Sequence, residues 1–375
     1  MENIKKIFRF LSIYGLSRTI FKALGRKRLA IPLTFKRYPS PDIAIIGCGQ
    51  FGFATIGYFI TRKFGRRFLW CFDKDQEASN GFGSAFKVPI SGGSVAQLLL
   101  NPDVKIVYIA SNHHSHSDYA IASLKAGKDV YVEKPIAVTH DQLYRLCYAV
   151  ELYGRSIYAG YNRPFSGAVR FLHSRLEGKV EGGVSLNCFV SGHKIDSDHW
   201  YRDPKEGTRI CGNAGHWIDL FVHMMGWRCQ PDQFHVTLLS ANPKEPDDNF
   251  SLSISTDQGD IFSLMLSARS EPFEGINETI NFQQGSVFCK IDDFRKLSLW
   301  NNDNFVKKTF WPKDVGHKHA ILQPFQTHIT RDWDEVVRST LLMLHVTEMV
   351  RNEVTESTFS MTAMMNQLKE LVQAA

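Results

Sequence analysis

No two of the seven cysteines are spaced as Cys-x-x-Cys, which argues against a zinc ribbon, and their scatter from Cys48 to Cys289 suggests no disulfide framework. They read as free thiols in a reducing, cytoplasmic setting. Long apolar runs are also missing: none approaches the roughly 20 residues needed to cross a bilayer. There is no low-complexity segment and no internal repeat. Acids are scarce in one place only. Positions 1 to 40 hold ten Lys or Arg against the single acid Glu2, a balance of +9, so with +6 for the whole chain the remainder carries −3. A basic leader thus precedes a mildly acidic body, and nucleic acid is not expected as a partner. What is present is ordinary globular composition over 375 residues, 43% hydrophobic and 22% charged, enough for two domains with substantial cores.

The leader places Ile4, Ile7, Phe8 and Leu11 at helical spacing, then a second short pattern from Ser17 through Leu24 stopped by Gly25, with basic residues between. Three readings fit it. It is a helical arm packed on its own or a neighbouring subunit, an interfacial helix giving residues 1–28 peripheral contact with the inner face of an anionic membrane, or a cleaved transit peptide. Arg9, Arg18 and Lys22 interrupt any secretory apolar core.

Ile43 to Ile46 runs straight into Gly47, Gly49 and Gly52, followed by a helical stretch from Phe53 to Phe64. A strand, a glycine turn and a helix in that order suit a dinucleotide. Gly47 would allow the tight turn, Gly49 the approach of backbone to a pyrophosphate, and Gly52 close helix packing, with Gln50 and Phe51 in the same loop. On its own such a turn is also compatible with a plain glycine-rich bend. Asp73 sharpens the reading, because it ends the apolar run Phe68 to Phe72 where an acid accepts hydrogen bonds from ribose hydroxyls. Its carboxylate favours NAD, while Lys74 beside it keeps NADP open.

Strand and helix patterns then alternate: Val104 to Ala110, Ser117 to Ala126, Val130 to Val132, Thr139 to Tyr153 and Ile157 to Ala159. This predicts an α/β fold with a doubly wound parallel sheet over residues 41–163. From residue 164 to 375 the texture changes to short alternating strands between 184 and 300, then helical patterns at 326–350 and 357–372. An α+β domain with a large, mostly antiparallel sheet is expected there, after a basic extension at 1–40.

Three motifs carry a resemblance. They are the glycine turn, the string Ser111-Asn112-His113-His114-Ser115-His116 followed by Ala126-Gly127-Lys128-Asp129-Val130-Tyr131-Val132-Glu133-Lys134-Pro135, and Gly160-Tyr161-Asn162-Arg163. With these the chain resembles the Gfo/Idh/MocA family of NAD(P)-dependent sugar and polyol oxidoreductases over residues 41 to about 350. A fourth stretch, Gly207 to Asp219, resembles the Gly-Arg-Ile-x-Gly-x-x-x-His-x-Ile-Asp pattern of one branch, found in bacterial polysaccharide clusters.

The resemblance implies hydride transfer between a nicotinamide and a hydroxyl or keto carbon of a sugar or nucleotide sugar, with Lys134 and His216 handling the proton. Oxidising an alcohol needs such a base. A lysine desolvated beside a cationic nicotinamide loses its proton more readily, although a strand-end surface lysine is the alternative. The resemblance also implies cofactor contacts from Ser111, Asn112, His113, His116, Glu133 and Lys134, and a substrate wall of Tyr161, Arg163, Lys194, His199, Trp200, Arg209, Asn213 and His216. No metal is expected, although His216, Asp219 and His223 share one helix face. Homodimers or homotetramers are implied through the open face of the second sheet. One departure stands out. Family members commonly carry an aspartate four residues before the histidine, and here that position is Gly212, followed by Asn213 where the branch has glutamate. A catalytically silent dinucleotide-binding regulator or scaffold therefore remains an alternative, as does a lyase or hydrolase cycling tightly held NAD.

Overall fold

The computed structural model describes residues 2–26, 33–176, 182–270 and 275–374. Helix α1 (Glu2–Arg26) comes first, then strands β1 (Ile43–Ile46), β2 (Phe68–Phe72), β3 (Ile90–Ser91), β4 (Ile106–Ile109), β5 (Asp129–Val132) and β6 (Ile157–Ala159). These six strands pair in parallel in the order β3-β2-β1-β4-β5-β6. All four residues of β1 and of β4 are buried, which explains their unbroken apolar composition. The connections are α2 (Tyr58–Phe64), α3 (Gln76–Phe86), α4 (Val95–Leu100), α5 (His116–Lys125) and α6 (His140–Tyr153). Local chemistry sets their ends. Asp75 caps α3, Ser94 and Gln97 form a capping box on α4, and Thr139 caps α6, which stops at left-handed Gly154.

The second layer holds α7 (Gly167–Leu176), β7 (Ser185–Ser191), α8 (Gly215–Met225), β8 (Gln233–Ser240), β9 (Asn249–Thr256), β10 (Ile261–Ser267), β11 (Asn277–Gln284), β12 (Val287–Asp292), β13 (Lys296–Asn301) and β14 (Asn304–Thr309). After them come α9 (His317–Ile321), α10 (Trp333–Arg351), β15 (Glu356–Ser360) and α11 (Met361–Ala374). Nine strands form one sheet ordered β14-β13-β12-β11-β7-β10-β9-β8-β15, antiparallel except where β7 meets β10. Alternate side chains along β7 to β13 are buried; Phe221 of α8 stacks on Phe262 of β10 at 4.8 Å. The other face leaves Phe189, Ile261, Met265, Phe288 and Trp300 exposed.

Two differences from the sequence reading have clear causes. The helical pattern expected from Ser357 opens as a strand, because Phe359 buries itself against Phe234 at the edge of the sheet, and the helix begins only at Met361. The helix expected from Gln326 starts at Trp333, where Asp332 caps it.

The leader is a helical arm on its own chain, kinked at Gly15 (φ 74°). Just before the kink, the Ser12 and Ile13 carbonyls accept from Trp311 Nε1 (2.8 Å) and the Lys313 amide (2.9 Å). Phe21 is buried edge-on against Tyr58 at 4.9 Å, and the Lys22 carbonyl accepts from Gln50 Nε2 at 3.1 Å. Helix α1 therefore straps the first layer to the segment after β14, with Ile7, Phe8, Leu16 and Ile20 on its outside. The side chain of Ile4, and residues 27–32, lie outside what is described.

Candidate active site

Strand order reverses between β1 and β4, and the glycine turn sits at that switch point. Gly47 has φ 101°, and a Cβ there would lie 2.3 Å from the Ala110 carbonyl oxygen, so only glycine fits. Around Gly49 a Cβ would meet nothing within 4 Å, leaving room for a ligand to approach the backbone. A cavity of about 510 Å³ opens here, lined by Gly47, Gly49, Asp73, Lys74, Ser111, Asn112 and Trp200. The Asp73 carboxylate is held by two backbone amides, Cys48 N–H at 2.6 Å and Asp75 N–H at 2.9 Å. These residues fit a dinucleotide with free ribose hydroxyls.

A second cavity, of about 450 Å³, lies on the other side of the turn and shares no lining residue with the first. Gln50 and Phe51 line it from the turn, and His216, Arg163 and His317 from the second layer.

Lys134 follows β5 and donates from Nζ to the Gly212 carbonyl at 2.7 Å. Burial pulls its pKa below the ordinary lysine value, opposed by Glu133 and reinforced by Arg163. Glu133 is buried and accepts from Tyr131 Oη at 2.7 Å and the Lys134 amide at 3.3 Å; burial raises its pKa. Glu133 thus braces the backbone at Lys134. His116 is likewise a brace, its two ring nitrogens bonded to the Pro135 and Ser111 carbonyls at 2.8 and 2.9 Å.

Gly212 lies in a π-helical turn, Ile210–Ala214, that leads into α8. The space an acid would need at this position is filled. A Cβ on Gly212 would lie 2.7 Å from the Tyr201 ring and 3.1 Å from His113. His113 is itself buried, with Nδ1 3.2 Å from the Glu206 carbonyl and Trp200 and Tyr201 packed on its ring. His216, one residue into α8, presents to the cavity an imidazole whose Nδ1 is buried without a hydrogen-bond partner among the described residues. Burial, then the charges of Arg163 and Lys134, depress its pKa well below the usual histidine range, so the ring is neutral.

Several expected wall residues sit in the interior instead. Tyr161 is buried with its hydroxyl against Met343 Sδ (3.7 Å), and Arg209 is buried and paired with Asp248 at 2.8 Å. Asn213 accepts from Arg209 Nε at 3.3 Å. Arg163 reaches the second cavity, but Glu278 binds it twice, at 2.8 and 3.0 Å, above Trp217. Trp200 belongs to the dinucleotide cavity, while Lys194 and His199 are exposed. Asp219 and His223 do not form a metal cluster with His216. Asp219 pairs with Arg331 at 2.9 and 3.0 Å and His223 with Glu335 at 2.9 Å. Sequence reasoning missed Glu206, a buried carboxylate that accepts from Asn112 Nδ2 and the His114 amide. Nothing in Pro204-Lys205-Glu206 signals that role.

Residues 42–161 match the model of the GFO_IDH_MocA oxidoreductase family, NAD-binding Rossmann fold. The match spans the layer that holds β1 to β6. A 1-carboxy-3-chloro-3,4-dihydroxycyclohexa-1,5-diene dehydrogenase from Comamonas testosteroni is 32% identical over 153 residues, 33% of this chain and 38% of that protein. An inositol 2-dehydrogenase from Ralstonia nicotianae is 28% identical over 39% of this chain and 44% of its own length, so these two are matched over less than half their length. One from Burkholderia multivorans is 27% identical over 78% of this chain and 80% of its own. In fold, the chain resembles GenD2 from gentamicin A biosynthesis in complex with NAD (TM-score 0.69, 17% identity, 88% of this chain and 98% of that one). It also resembles levoglucosan dehydrogenase in complex with NADH and L-sorbose (TM-score 0.69, 16% identity, 85% and 98%).

The crowding at Gly212 gives a direct test. Gly212→Asp is expected to cost about 1–3 kcal/mol of stability by overpacking, and adding Tyr201→Ala should return most of it. Equal denaturation midpoints for Gly212→Asp and the unaltered chain would refute this packing account.

Proposed function

We propose that the protein is an NAD-linked oxidoreductase acting on a hydroxyl or keto carbon of a sugar or nucleotide sugar. The observation that carries this reading is a lysine of lowered pKa, Lys134, in the charge environment of a neutral His216 that faces a cavity beside the glycine turn. When bound, the dinucleotide supplies the hydride-exchanging ring. The chain's own residues do the rest. Asp73, its oxygens fixed by amides, takes ribose hydroxyls and disfavours a 2′-phosphate, which makes NAD the preferred form over NADP. The amine of Lys134 accepts the substrate hydroxyl proton in oxidation and returns it in reduction. His216, neutral and with a vacant ring nitrogen, orients the hydroxyl or shares that proton. The inositol 2-dehydrogenase likenesses support a cyclic polyol or sugar, and the Gly207 to Asp219 pattern supports a place in polysaccharide precursor synthesis.

A silent dinucleotide binder is the second reading, favoured by the Gly212 carbonyl occupying Lys134 where the family resemblance implies a carboxylate. Lys134→Met separates the two. It should retain NADH affinity while lowering turnover by about 10²–10⁴. Oxidation should rise with pH through a midpoint below the ordinary lysine value of 10.5, because the base must first lose its proton. Unchanged turnover would remove Lys134 from the chemistry; no nicotinamide absorbance change with any of a broad sugar panel would favour the binder.

The exposed apolar face of the nine-stranded sheet supports a homodimer or homotetramer. Phe288→Lys is expected to shift sedimentation toward the monomer, and an unshifted assembly would exclude this face. Outside α1, Ile7, Phe8, Leu16 and Ile20 beside exposed Lys5 support peripheral contact with an anionic membrane. Phe8→Glu with Leu16→Glu should abolish flotation with phosphatidylserine vesicles; equal flotation, or none by the unaltered chain, would refute it.

A further inference from the structure

Four side chains of α1 reach the cavity that His216 lines: Phe10, Tyr14, Arg18 and Lys22. We propose that α1 is the outer wall of the substrate cleft, and that Arg18, with Lys22 and Lys318 lining the same cavity, forms a subsite for an anionic group, phosphate or carboxylate, carried by the substrate. This deepens the oxidoreductase reading and rests on it.

The charge balance of the cavity points this way. Its two carboxylates are engaged within the protein: Glu278 by Arg163 and Trp217 Nε1, Asp314 by the amides of Gly167 and Gly316. Lys313 is spoken for by Asp293 at 2.5 Å. Arg18 differs. It is half-buried, lies over the rings of Tyr58 (5.3 Å) and Phe59 (4.8 Å), and has no carboxylate partner among the described residues. A desolvated guanidinium resting on aromatic faces keeps its edge N–H groups for an acceptor in the plane. Burial lowers its pKa, opposed by the phenols of Tyr58 and Tyr14 but by no carboxylate. An anionic ligand would supply the missing charge. Lys22 stands 4.2 Å over the Phe10 ring, and Lys318 is exposed on α9.

The wall is also fixed rather than merely leaning on the cleft. The bonds from Trp311 and Lys313 before Gly15, and from Gln50 to Lys22, hold α1 on both sides of the cavity. The cavity shares no lining residue with the one containing Asp73, so this subsite is distinct from the place of the dinucleotide's ribose.

Calorimetric titration of the full chain saturated with NADH, using glucose, glucose 6-phosphate and glucuronate as probes, tests it. At least one anionic probe should bind about tenfold or more tightly than glucose. Arg18→Gln should abolish that preference and leave NADH affinity unchanged. A preference confined to one anionic probe tells phosphate from carboxylate. Lys318→Glu, at an exposed position, should also reduce the preference and serves if Arg18→Gln does not fold. Glucose binding as tightly as both anions, or an anion preference that survives both substitutions, would overturn the subsite and leave the oxidoreductase reading standing. Failure of the unaltered chain to bind NADH would overturn that reading and the subsite with it.

Discussion

The hydrogen bond from Lys134 Nζ to the Gly212 carbonyl joins the carboxyl end of the parallel sheet to the turn ahead of α8. Much of the site's construction keeps that carbonyl where it is. The π-helical turn at 210–214 directs it, and α8 behind it is anchored by Asp219, buried in a two-point pair with Arg331, which also contacts Glu335. A buried pair of this kind adds little net stability, but loss of either partner leaves a charge without compensation. The geometry at Lys134 therefore depends on an ion pair two turns further along the chain.

The same contact places a backbone carbonyl where the family resemblance implies a carboxylate. Acidic side chains nearby would hold Lys134 charged; here burial is the strongest influence, Glu133 opposes it, and the second cation Arg163 adds to it. Glu133 is weakened in that role because burial raises its own pKa. A backbone carbonyl orients the amine without adding a full negative charge, which keeps the proton labile. Tyr201 and His113 complete the arrangement by closing the volume an acid would occupy.

Legibility in the sequence followed the range of the interaction. Ile43–Ile46 and Phe68–Phe72 are strands with the limits their apolar runs suggest, because a buried parallel strand is apolar throughout. The glycine turn was legible too, since positive φ at Gly47 is a local demand. Burial in the second layer was not. Tyr161 and Arg209 stand in loops that look like a cleft wall, yet Met343 and Asp248, far along the chain, draw them inside. The strand Glu356–Ser360 is invisible for the same reason: its pattern is as good a helix as a strand, and the free edge of β8 decides.

The leader joins these points. Its periodicity announced a helix, but its partner, Trp311, is 299 residues away, and no local signal relates the two. Counted as a solvated basic patch, the +9 segment suggests a surface for anionic membranes. Folded, it divides: Lys5 stays outside while Arg18 and Lys22 turn toward the cleft. A guanidinium placed over two aromatic rings loses part of its hydration, so its electrostatic demand on whatever enters is greater than that of the same residue in water. Charge that composition assigns to the surface thus becomes, through one kink at Gly15 and three backbone carbonyls, a property of the site itself.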